Sequence, residues 1–123
     1  MPDELIVGFR LPVAPWTRRS LYLKIRDRQS YEFALASAAV ALDFADGIVN
    51  EARIALGGVA AKPWRGREAE AALKGQSFDE AAARRAAEAA FARAQTHGEN
   101  GYKPELGRRT LVRALLQAAQ LSI

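Results

Sequence analysis

FALASAAVALDFADGIVNEARIALGGVA, residues 33–60, holds two apolar runs joined by Ala45-Asp46-Gly47. Asp-Gly between apolar runs is the strongest short-range signal of a β-hairpin, because glycine accepts the positive φ that a tight turn needs. In the second run Ile48, Ala52, Ile54 and Leu56 fall on one face, with Asn50 as the exception, and Val49, Glu51 and Arg53 fall on the other. The first run is apolar on both faces. Ala34, Ala36, Ala38, Val40 and Leu42 point one way, Phe33, Leu35, Ala39 and Ala41 the other. Such a strand is covered on both sides or is central in its sheet. Its alanines also suit a helix, so the strand reading rests on the turn and on the alternating partner.

Outward from the hairpin, Leu21 to Arg28 (LYLKIRDR) alternates as a third strand, with Leu21, Leu23 and Ile25 on one side and Tyr22, Lys24 and Arg26 on the other. Three antiparallel strands are about the minimum for independent stability. Glu4 to Leu11 (ELIVGFRL), stopped by Pro12 and Pro15, reads as an edge strand or as the last strand of a preceding unit. Residues 12–19 are a connector. Beyond Gly57-Gly58, an end-of-strand bend, the period changes. Arg65 to Lys74 is expected to be a short helix closed by Gly75. Ser77 and Glu80 have capping-box spacing ahead of an alanine-rich helix running to about Gln95, with Phe78, Ala82, Ala86 and Phe91 in its apolar stripe. Lys103-Pro104-Glu105 opens a last helix with Leu111, Val112, Leu115 and Ala118 on one wide face. The expected fold is α+β: an antiparallel sheet of three strands, with room for a fourth, packed against three helices, strands first and helices second.

With 123 residues there is room for one domain and a real core. No apolar stretch reaches the roughly 20 residues of a membrane span, and the N-terminus does not read as a secretory signal. The chain has no cysteine, so it cannot itself hold an iron–sulfur cluster, a thiolate zinc site or a disulfide. The net charge of +4 permits an acidic partner without selecting one. Arg18-Arg19, Arg84-Arg85 and Arg108-Arg109 are scattered pairs of the kind found on solvated surfaces, and no nucleic-acid motif accompanies them. His97 is the only histidine and has no acid or serine at triad or metal spacing; it reads as solvated. The richest surface is LYLKIRDRQSYEF, where Tyr22, Lys24 and Arg26 share a face able to stack a planar ring and pair with an anion. No complete catalytic apparatus is present.

Four stretches, YLKIRDRQSYEFALASAAVAL (22–42), EARIALGGVAAKPWRGREAEAAL (51–73), the capping-box helix and NGYKPELGRRTLVRAL (100–115), together resemble one family. It is the C-terminal domain of the FAD-binding medium subunit of molybdenum hydroxylases, the xanthine dehydrogenase, aldehyde dehydrogenase and carbon-monoxide dehydrogenase group. The A-L-G-G-V-A-x-x-P-W-R-x-R-E-A-E element is the most specific part. The likeness covers about residues 4–121, and ELIVGFRLP resembles the strand that closes the preceding FAD domain. On this reading residues 1–19 are an N-terminal strand and connector, and 20–123 are the flavoprotein C-terminal domain.

The resemblance implies an oxidoreductase complex. Electrons reach a flavin from 2Fe–2S clusters in a small subunit, fed by a molybdopterin large subunit, and pass to an external acceptor. It implies FAD shared with a separate FAD-binding domain, with Tyr22 as the aromatic at the flavin and Lys24 and Arg28 as polar neighbours. A stacked ring and a nearby cation would favour the anionic reduced flavin. The family's two glycine-rich pyrophosphate loops have no counterpart in this sequence, so the chain alone is expected to bind FAD weakly or not at all and to be inactive alone. The implied location is cytoplasmic, or periplasmic through export with partner subunits. Two readings from other classes stay open: a free-standing module that keeps the fold without flavin and self-associates as a homodimer, and, ranked last, a nucleic-acid binder.

Overall fold

The computed structural model describes residues 3–122. Four strands, β1 (Ser20–Ile25), β2 (Ala36–Ala45), β3 (Ile48–Gly57) and β4 (Trp64–Arg65), precede three helices, α1 (Arg67–Leu73), α2 (Glu80–Phe91) and α3 (Lys103–Ala119). The sheet is antiparallel in the order β1-β2-β3-β4. Thus β2 lies between two neighbours, with Ala38, Val40 and Leu42 buried and Ala39 exposed on the opposite face. Asp46 and Gly47, at φ 52° and 77°, form the two-residue turn. Positive φ at both central positions matches the right-handed twist of the flanking strands.

The register explains the odd Asn50. Asp43 pairs with Glu51, yet Phe44 pairs with Val49, so Asn50 is the extra residue of a bulge. One inserted residue exchanges the two faces. Val49 is therefore fully buried and Ile48 is exposed, the reverse of the alternation expected from the sequence, while Ala52, Ile54 and Leu56 stay inside.

All the helices lie on one side of the sheet. The core joins Val40, Leu42, Ile54 and Leu56 to Leu73 of α1, Ala83, Ala86 and Phe91 of α2, and Leu111 and Leu115 of α3. Alanine dominates the buried face of α2, so the neighbouring helices approach it closely. Gly107 does the same for α3: a Cβ there would stand 2.3 Å from Phe91 Cζ.

Three expectations need correction. Residues 4–11 are not an edge strand of this sheet: they join no strand among the described residues, and Leu5, Ile6, Val7, Phe9 and Leu11 are almost wholly exposed. An apolar run without period signals burial, but strand structure needs an edge to pair with. Second, β1 stops at Ile25, which puts Arg26 and Arg28 in a loop rather than on the strand face. Third, α2 is capped by Asp79 and not by Ser77. Asp79 Oδ1 accepts from Ala82 N–H at 2.6 Å, while Ser77 bridges to Ile48. The helix ends at Phe91, short of Gln95.

Candidate functional site

The most specific sequence element, WRGREAE (64–70), is a clamp. Trp64 and Arg65 add a two-residue strand to β3, opposite Leu56 and Ala55. The Glu70 carboxylate, one turn into α1, accepts the Ile54 N–H at 2.7 Å through Oε1 and is gripped by the Arg65 guanidinium on both oxygens. Gly66 N–H donates to Ile54 C=O at 2.9 Å. The β3 backbone is thereby tied to the helix that covers it.

The side of the sheet away from the helices is open, except where a 3-10 turn, Pro15–Thr17, folds against β2 and β3. There Trp16 lies under the Arg53 guanidinium, 5.7 Å from the ring centroid. Register places Tyr22, Ala39, Ala55 and Arg65 in one row across the four strands, and Ser20, Ala41 and Arg53 in the next. The first row spans three strand spacings, about 14 Å. The result is a shallow depression of about 380 Å³ with an alanine floor, Tyr22 at one end and Arg53 and Arg65 at the other. Tyr22 is 62% exposed.

Tyr22, Lys24 and Arg28 are separated into two groups. Tyr22 stands on the open face. Lys24 Nζ donates to the Glu32 carbonyl, and Arg28 Nη2 donates to the Tyr31 carbonyl at 2.7 Å. Glu32 in turn accepts from the Arg28 N–H at 2.8 Å. These two cations therefore hold the β1–β2 loop. Tyr31, at φ 55°, and Phe33 are carried on it almost fully exposed. Sequence reasoning missed Arg53, Arg65 and Trp16, because only the strand register brings them beside Tyr22. It counted Phe33 in the first strand run, whereas β2 begins at Ala36 and both Tyr31 and Phe33 lie on the loop before it.

An alanine floor edged by a phenol and guanidinium groups fits the ring end of a flavin. For its pyrophosphate, no glycine-rich loop leads from a strand into a helix N-terminus among the described residues. Among the described residues no group of three His, Cys, Asp or Glu side chains could hold a metal ion, and no helix is long and apolar enough to cross a membrane.

Comparison with known proteins bears on the family and the fold. The family described as CO dehydrogenase flavoprotein C-terminal domain matches residues 21–120. The aldehyde oxidoreductase FAD-binding subunit PaoB of Escherichia coli (strain K12) is 42% identical over 118 residues, which are 96% of this chain and 34% of that protein. The chain thus spans about a third of the length of that relative. Carbon monoxide dehydrogenase from Hydrogenophaga pseudoflava superposes with a TM-score of 0.74 at 35% identity, over 81% of this chain and 36% of that one. Quinoline 2-oxidoreductase from Pseudomonas putida 86 gives 0.74 at 31% identity, over 83% of this chain and 37% of that one. This chain belongs to the CO dehydrogenase flavoprotein C-terminal domain family, the C-terminal domain of the FAD-binding medium subunit of molybdenum hydroxylases.

Proposed function

We propose that this domain covers the ring of a flavin held by a separate FAD-binding domain, inside an oxidoreductase complex with a 2Fe–2S small subunit and a molybdopterin large subunit. The open alanine-floored sheet face supports this reading most directly, because a sheet face bare of helices awaits a second layer. The flavin, when bound, supplies the electron transfer between iron–sulfur clusters and an acceptor. The chain contributes a stacking phenol at Tyr22 and the planar guanidinium groups of Arg53 and Arg65, each already paired with a carboxylate, Glu51 and Glu70. Lys24 and Arg28 serve at one remove, by fixing the β1–β2 loop and keeping that end of the sheet cationic. The exposed arm, residues 5–13, docks on the FAD-binding domain. The chain alone is inactive, and its cytoplasmic or periplasmic location follows its partners.

The test adds the purified chain to a FAD-binding domain of the family and follows flavin fluorescence and acceptor reduction. Tighter flavin retention is expected, weakened by Tyr22→Ala; no change in either signal overturns the proposal. A second reading, self-association without flavin, is favoured by the arm, whose Leu5, Val7, Phe9 and Val13 are each at least 88% exposed. Sedimentation of the isolated chain distinguishes them: a stable dimer indifferent to the FAD-binding domain supports the second.

A further inference from the structure

On the helix side of the molecule, remote from the open sheet face, a cleft of about 520 Å³ separates the β3–β4 connection from the end of α2 and the loop that follows it. That volume suits a small organic molecule. One wall carries Val59 and the indole of Trp64, which is 42% exposed although its strand neighbour Leu56 is buried. The other carries Ala90, Ala94 and the largely buried Phe91. Phe91 is locked, since Gly107 leaves no gap beside its ring and the Arg108 guanidinium lies 6.0 Å from its centroid. The first wall is also held from α3. Lys103 Nζ donates to Leu35 C=O at 2.7 Å and to Gly58 C=O at 3.1 Å, which commits two of its three protons. The cleft is therefore preformed.

Its charge is one-sided. Arg93 and Lys103 stand at the rim, and Glu68, the only lining carboxylate among the described residues, is already bound to Arg93 Nη2 at 2.7 Å. That contact uses one of five guanidinium donors, and the Arg93 side chain is 84% exposed, so the rest of its fork is available. An apolar cleft lined by an exposed indole and alanines suits a flat ring, and the guanidinium donors of Arg93 that Glu68 leaves unused suit a carboxylate. We propose that this cleft is a binding site for a planar aromatic carboxylate. It is independent of the flavin-facing reading, because neither the sheet face nor the arm takes part in it.

The experiment titrates the isolated chain with 2-naphthoate and with its neutral counterpart 2-naphthylmethanol, following the Trp64 indole N–H and the amides of Val59 and Ala94 by NMR. Naphthoate should shift these signals saturably and bind about tenfold more tightly than the alcohol, roughly the factor one charge-assisted hydrogen bond supplies. Arg93→Gln should erase that preference while leaving alcohol binding in place. Glu68→Gln, which releases the guanidinium, should strengthen naphthoate. Ala94→Trp, an exposed position that tolerates bulk, should block both probes. Absence of saturable shifts, shifts centred on Tyr22 and Ala39 instead, or an unchanged preference in Arg93→Gln would each overturn the assignment.

Discussion

Glu70 joins three parts of the molecule through one carboxylate: the β3 backbone, the β4 side chain Arg65 and helix α1. Its side chain is only 14% exposed, so truncation leaves a buried Ile54 N–H without a partner. Glu70→Ala should cost about 1–3 kcal/mol, read as a lower urea midpoint at unchanged slope. Glu70→Gln, which can still accept from Ile54, should lose less. Glu68, two residues earlier, faces outward. Its pKa is held below the ordinary carboxylate value, first by the backbone N–H it accepts at the start of α1 and then by Arg93. A depressed folded-state pKa means the stabilisation is present above the ordinary carboxylate pKa and fades as pH falls through the lowered one. Arg93→Gln should therefore move the Glu68 titration upward only part of the way in an NMR pH series; an unmoved titration contradicts the pairing.

Among the elements, α3 offers a contest between two effects of opposite sign. Alanine in place of Gly107 favours the helix by up to about 1 kcal/mol. Its Cβ would stand 2.3 Å from Phe91 Cζ, and the ring is boxed in. Overpacking typically costs about 1–3 kcal/mol, so Gly107→Ala should destabilise on balance. Adding Phe91→Leu should recover part of the loss in a double-mutant cycle. At the start of α2, Asp79→Ala removes the cap and should cost about 1 kcal/mol by the same denaturation measurement, whereas Ser77→Ala, expected from the sequence to matter more, should cost less. The hairpin illustrates why some positions mislead. Asp46-Gly47 set the turn as read, but the bulge at Asn50 exchanged Ile48 and Val49, and a bulge is a property of two strands together.

For the molecule as a whole, the arm of residues 5–13 is so exposed that its removal should change the unfolding free energy by no more than about 0.5 kcal/mol. The same truncation should abolish association with a FAD-binding domain in sedimentation, if the arm docks there. A large loss of stability instead would mean that the arm belongs to this core. Local signals carried most of the fold: the Asp-Gly turn, the alternation of Leu21 to Ile25, Gly75 after α1 and the wide apolar face of α3 follow from neighbours a few residues apart. So did the family, through the linked WRGREAE and ALGGVA elements. Other features depend on residues distant in sequence. β4 is only two residues long and has no periodicity to detect, yet Arg65 reaches the open face through it. Arg53 meets Trp16 only because a 3-10 turn folds back across the sheet, and Lys103 of α3 reaches carbonyls of residues 35 and 58 beside the helix-side cleft. Chain-local chemistry determined which segments are strand, turn and helix, because φ/ψ preference and burial period act over a few residues. Which side chains share a surface was decided by register and packing, whose energies arise only when remote segments meet.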